Sequence, residues 1–179
     1  MDIKLSAASI SITPVQPVPL AGFAEREGVY TQVMDELEIN LAAIKQEGKL
    51  VLLYSVDTLF VPDTFVTLIV DAFGKAYDIQ EKNIWMAATH THYAPSLDKE
   101  KPALGTVNDG YYKFVSEQLL QLTQKVLNSD FVNVHVQYGN GKSVLNVNRR
   151  KKLVRPRSKF SLYNKVLMYP DYAGVKDDD

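Results

Sequence analysis

The sequence predicts an α/β fold: a mixed, largely parallel sheet with crossover helices and an N-terminal antiparallel hairpin. Three observations predict it. An alternating run, Leu37 to Ala43, and a continuous apolar run, Leu50 to Val56, flank the break Glu47-Gly48, as in a hairpin. A helical stripe then lies between two short apolar runs, the pattern of a β-α-β unit. A second long helical stripe follows, with one more alternating run behind it. At 179 residues, 46% hydrophobic and 23% charged, residues 1–179 read as a single α/β domain with a sizeable core.

The elements follow in order. Ile3, Leu5 and Ala7 on one parity and Ala8, Ile10 and Ile12 on the other predict a strand over 3–13, closed by Thr13-Pro14. Pro14, Pro17 and Pro19 make an extended connector. Gly22, alone in the apolar loop Leu20 to Ala24, suggests close approach of its backbone to another group, or simply a turn. In the hairpin, Leu37, Ile39, Leu41 and Ala43 repeat at period two, and Leu50 to Val56 is apolar on both faces. Pro62-Asp63 opens a helix over 63–77, with Phe65, Leu68, Ile69, Ala72, Phe73 and Ala76 on one face. A strand over 83–89 completes the β-α-β unit, so it should run parallel to 50–56. Asn108 or Asp109 caps a second helix over about 110–127, whose face is Tyr111, Phe114, Val115, Leu119, Leu122 and Val126. Val132, Val134 and Val136 predict a strand running to Tyr138, with Ser143 to Val147 as a candidate return strand. No domain boundary is expected before residue 150. From about 160 to 179 periodicity fades, which predicts a loop-rich tail.

The chemistry concentrates at Thr89-His90-Thr91-His92-Tyr93. Two of the three histidines sit there, one residue apart, at the end of a strand. Imidazoles at that spacing point the same way off an extended backbone. They read either as half of a metal site or as two hydrogen-bonded histidines at a loop start. Ligands of parallel sheets bind beyond the carboxyl ends of the strands. Asp57 and His90 end the two strands of the β-α-β unit, so Asp57, His90 and His92 should share a rim. Asp57 can equally bond nearby backbone. His135, in an alternating strand, reads as solvated.

Several function classes lose support. There is no cysteine, hence no disulfide, thiolate metal site or cysteine nucleophile. No Gly-x-Ser-x-Gly, P-loop or Gly-x-Gly-x-x-Gly occurs. A net charge of -1 offers no global field toward nucleic acid. Seven basic residues lie between Arg149 and Lys159, but no aromatic interleaves them, so no nucleic-acid partner is expected. One arginine of that run holding an oxyanion is the better reading. No apolar run reaches the length of a transmembrane segment, and no basic-then-apolar leader opens the chain, which points to a cytoplasmic location.

The order Ser11-Ile12-Thr13-Pro14, Leu20-Ala21-Gly22-Phe23-Ala24, Ser55-Val56-Asp57, Ala88-Thr89-His90-Thr91-His92 and Val147-Asn148-Arg149-Arg150 resembles the N-terminal part of the neutral/alkaline, non-lysosomal ceramidase family. The resemblance implies the N-terminal portion of a longer catalytic domain of a zinc-dependent amidohydrolase. Such an enzyme cleaves the N-acyl amide bond of a sphingolipid substrate. It maps a zinc ligand onto His90, and a group holding the reacting oxygen onto each of His92 and Arg149. Zinc lowers the pKa of bound water to about 7 and polarises the amide carbonyl. Each well-placed oxyanion donor contributes about 3–4 kcal/mol. Asp57 and Gly22 are supporting candidates. The family pattern continues Ser-Gly-Pro where this chain has Tyr93-Ala94-Pro95, which puts ceramide itself in doubt. The remaining family ligands, a second histidine, a glutamate and a tyrosine, come from regions beyond this point. The chain alone is therefore expected to be inactive and to associate through a face left open. Against this stands a non-catalytic binding or interaction domain that kept the fold. Family members are often secreted or at membrane surfaces, against the cytoplasmic expectation.

Overall fold

The alternation seen in the sequence becomes a five-stranded sheet in the computed structural model, which describes residues 2–23, 26–143, 148–158 and 161–171. The chain divides into two compact units, Met1–Val136 and Gln137–Asp179. The boundary therefore falls before residue 150, where the sequence shows none.

In the first unit the strands are β1 (Ile3–Ser11), β2 (Glu38–Gln46), β3 (Lys49–Val56), β4 (Ile84–Ala88) and β5 (Val132–Val134), and the helices are α1 (Thr64–Tyr77) and α2 (Asp109–Asn128). The sheet order is β4-β3-β2-β1-β5. β2 and β3 form the expected hairpin around Glu47-Gly48, both at positive φ as a tight turn requires. β3 and β4 pair in parallel, with Leu53 opposite Trp85 and Val56 opposite Ala88, and α1 crosses between them. The sheet is mixed, but its parallel share is this one pair. β1 runs antiparallel to both β2 and β5, which corrects the expectation of a largely parallel sheet. The cause is the order: β1 sits between a hairpin partner and a late strand that returns from α2. β5 is also shorter than the predicted 132–138, because β1 offers it only Ile3 to Leu5 as partners.

Both helices lie on one face of the sheet. Ile39, Leu41, Ala43, Leu50, Leu52, Tyr54, Val56 and Ile84 alternate inward and join Phe65, Ile69, Phe73, Val115, Leu119 and Leu122 in one core. Asn108 caps α2, its side chain accepting from the Tyr111 N–H at 2.9 Å. Inside the core, the Tyr54 and Thr123 hydroxyls lie 2.8 Å apart and Thr123 donates to the Leu119 carbonyl, joining β3 to α2. The opposite face carries Asn40, Ala42, Leu53 and Ser55, with Trp85 69% exposed.

The second unit holds β6 (Asn148–Ser158) and β7 (Ser161–Asp171), paired antiparallel with Leu153 opposite Lys165. A strand thus occupies most of the stretch expected to be a loop-rich tail. The candidate return strand at 144–147 lies outside the described residues. Among the described residues no helix is long and apolar enough to cross a membrane.

Candidate functional site

The β-α-β unit delivers Asp57 and the Thr89 to Tyr93 segment past the carboxyl ends of β3 and β4. The Thr89 N–H bonds the Val56 carbonyl at 3.0 Å, so the two exits are tied together. His90 then turns the chain with φ +59°, a left-handed conformation uncommon for a residue with a Cβ. Its side chain is exposed, with Nδ1 2.9 Å from the Leu59 carbonyl oxygen. A carbonyl can only accept, so Nδ1 carries the proton and, in the neutral ring, Nε2 carries the lone pair. A metal-ligating histidine is commonly held this way through its other nitrogen. Phe60 meets the His90 ring edge-on at 5.2 Å and orients it further.

His92 stands beside it, the two imidazoles 5.3 Å apart between centroids and 79° between planes. The loop carrying Gly22 makes room for it. Gly22 has φ +99°, and a Cβ there would lie 2.5 Å from His92 Nδ1 and 2.6 Å from Cγ. The close approach suggested by the lone glycine is thus an approach to the second histidine. Phe23 packs edge-on against the same ring at 4.8 Å. His92 Nδ1 is buried and has no hydrogen-bond partner among the described residues. That is costly for a neutral imidazole unless something else engages it.

The glycine loop is held from both sides. Ala21 N–H donates to the Ala94 carbonyl at 2.9 Å, and Gly22 N–H to the Leu104 carbonyl at 2.7 Å. Arg26 donates to the carbonyls of His92 (2.6 Å) and Ala21 (3.3 Å), with its guanidinium over the rings of Phe23 and Tyr93. Arg26 was not expected from the sequence. A lone arginine between two glutamates in a loop looks solvated, and only its backbone partners reveal the clamp.

Asp57 takes the backbone-bonding role. Its Oδ2 accepts from Glu38 N–H at 3.0 Å, while its own N–H donates to the Glu38 carbonyl. It also lines a cleft of about 640 Å³ with Thr13, Pro14, Tyr30, Thr91 and Tyr93. The residues between and after the histidines face this cleft, and neither imidazole lines it. Arg149 lies on β6, in the second unit. His135 is exposed, as its alternating run suggests.

No protein-family model matches the sequence, and no curated protein matches it. Among solved structures, the neutral ceramidase from Pseudomonas aeruginosa superposes with a TM-score of 0.60 at 12% identity, over 70% of this chain and 21% of that one. A ceramidase complexed with C2 does so with a TM-score of 0.58, again at 12% identity and over 70% and 21% of the two chains. The fold is ceramidase-like. The chain spans 21% of the length of these structures.

In this ceramidase-like fold the segment after the histidines is pinned by an ion pair. Asp98 is buried, accepts from Lys101 Nζ, and takes the Glu100 N–H at 2.8 Å. The Lys101 hydrogen bond, supported by the Glu100 N–H, holds its carboxyl below the usual range against the opposing effect of burial. A carboxyl lowered on folding stabilises the native state above the unfolded value of about 4 and loses that contribution as pH falls through the folded value. Acid titration of stability should therefore show a steeper loss below about pH 4 in the wild type than in Asp98→Asn. Parallel curves would exclude the pair as an acid-sensitive tie.

Among the described residues no group of three His, Asp or Glu side chains is placed to hold a metal. Of the two imidazoles, His90 is exposed and held through Nδ1, while the unsatisfied Nδ1 of His92 is buried against the Gly22 backbone.

Proposed function

We propose that this chain is the N-terminal portion of a ceramidase-like, zinc-dependent amidohydrolase acting on an N-acyl amide of a small-molecule or lipid substrate. The observation that carries the reading is His90: its Nδ1 proton is committed to the Leu59 carbonyl, which leaves Nε2 as the ring's acceptor, and it stands at a strand end in a ceramidase-like fold. His90 is the proposed zinc ligand. His92 and Arg149 are proposed to hold the reacting oxygen, with Gly22 fixing where the His92 ring sits. Asp57 supports the rim by anchoring the start of β2. When bound, zinc supplies an acidified water and a polarised amide carbonyl.

A catalytic zinc normally takes three protein ligands. The described residues supply His90 and at most one neighbour, so the remaining ligands belong elsewhere in the proposed enzyme. The isolated chain should bind zinc weakly and hydrolyse no amide. Calorimetric zinc titration of wild type and His90→Ala tests this, with at least tenfold weaker binding expected for the variant. Indistinguishable isotherms would sink the metal assignment.

The absence of a three-ligand group among the described residues favours a second reading, a non-catalytic binding domain that kept the fold. That reading expects no His90-dependent zinc binding, so the same titration separates the two.

A further inference from the structure

Both helices pack on one face of the five-stranded sheet, so the residues that alternate away from the core form the other face. Strand register lays that face out in rows. Val132, Leu5, Ile44 and Val51 lie side by side in one row. Ala7, Ala42, Leu53 and Trp85 form the next. Both rows are wholly apolar. Along the described strands, the charged residues of this face are Glu38 and Lys49, at its opposite ends. A sheet face meant for water carries polar residues at these positions. Contiguous apolar surface of this extent marks an interaction site.

The face also has relief. Trp85 stands out at the β4 edge, 69% exposed. Two strands away, Ala7, Ser9, Asn40, Ala42, Leu53 and Ser55 surround a hollow of about 470 Å³. A ridge and a hollow on one surface make that surface self-complementary. In a two-fold pairing, the Trp85 ring of each copy enters the hollow of the other. Size agrees with this occupant. From Ile3 to Ser9 along β1 and across five strands, the flat footprint is about 23 by 24 Å, roughly 550 Å². Two copies would bury about 1,100 Å² before side-chain relief is added, and specific interfaces begin near about 1,200 Å². A membrane surface is a poorer match, because it favours a basic rim and this face has one lysine and one glutamate at its ends.

We propose that this face is the interface between two copies of this chain, packed sheet on sheet with Trp85 of each in the hollow of the other. Tryptophan in a desolvated pocket is the usual energetic centre of such a contact. The interface is separate from the two imidazoles and rests on no part of the amidohydrolase reading.

Trp85 is the only tryptophan in the sequence, so its fluorescence reads this face alone. Sedimentation velocity on the 179-residue chain over a dilution series should show a monomer–dimer equilibrium. In step with the dimer, Trp85 emission should move to shorter wavelength and become less open to acrylamide quenching. Ala42→Lys puts a charge in the hollow, and Trp85→Ala removes the ridge. Each should weaken dimerisation about tenfold or more, with the far-ultraviolet circular dichroism unchanged. Should Ala42→Lys fail to fold, Trp85→Ala decides, since a side chain so exposed can be truncated without opening the core. A monomer at every concentration would overturn the proposal and leave the face to a different partner. So would a dimer whose Trp85 stays open to acrylamide, or one as tight in Trp85→Ala as in the wild type. Growth beyond two copies would overturn it as well, because a two-fold interface closes at the dimer.

Discussion

Gly22→Ala should unseat the His92 ring. The added methyl would sit 2.5 Å from Nδ1 and 2.6 Å from Cγ, and the residue would be held at φ +99°. Overpacking of this kind costs about 1–3 kcal/mol, and a strained backbone adds a similar amount. A total loss near 3 kcal/mol is expected from chemical denaturation. A double-mutant cycle isolates the clash. His92→Ala removes Nδ1 and Cγ, so Gly22→Ala should cost at least 1 kcal/mol less in that background. Strict additivity would show that the cost is all backbone strain and that the glycine does not serve the imidazole.

Phe65→Ala should be more damaging still. Phe65 is fully buried in α1, the helix that carries the chain from β3 to β4. Truncating a buried phenylalanine costs about 3–5 kcal/mol through lost transfer energy and a cavity. Native domains hold only about 5–15 kcal/mol in total. The variant should therefore unfold at markedly lower denaturant, and the His90 imidazole NMR shifts should broaden or move before the global transition. A loss below 1 kcal/mol would mean that α1 is not the prop of the rim.

The parts legible in the sequence were those encoded by local periodicity. The Leu37 to Val56 hairpin, the α1 stripe and the Asn108 cap each depend on residues within a few positions of one another. The pairing of β1 with β5 depends on residues about 130 apart, and no period in either segment announces it. Local periodicity therefore shows the parallel β3-β4 pair and hides the antiparallel β1-β5 pair. β7 is hidden for another reason: Val166-Leu167-Met168-Tyr169 is a run without alternation, bounded by Asn164-Lys165 and Pro170. The site divides in the same way. A solitary glycine in an apolar loop could be flagged, but its neighbour, His92, is seventy residues away. The Arg26 clamp could not be read at all, because it is defined by what surrounds it in space. The histidine pair could be placed at a rim, while the angle between its rings and the strain at His90 required coordinates.

The interior position of β1 also governs the order in which this chain can assemble. β1 has β2 on one side and β5 on the other, and β5 is made only after α2. The β2-β3 hairpin and the β3-α1-β4 unit close short loops and can form early. The β1-β5 edge must wait for a loop of more than a hundred residues to close, which is slow although thermodynamically cheap. Until then β1 presents an unpaired strand edge, and a nascent chain in that state is open to pairing with another copy.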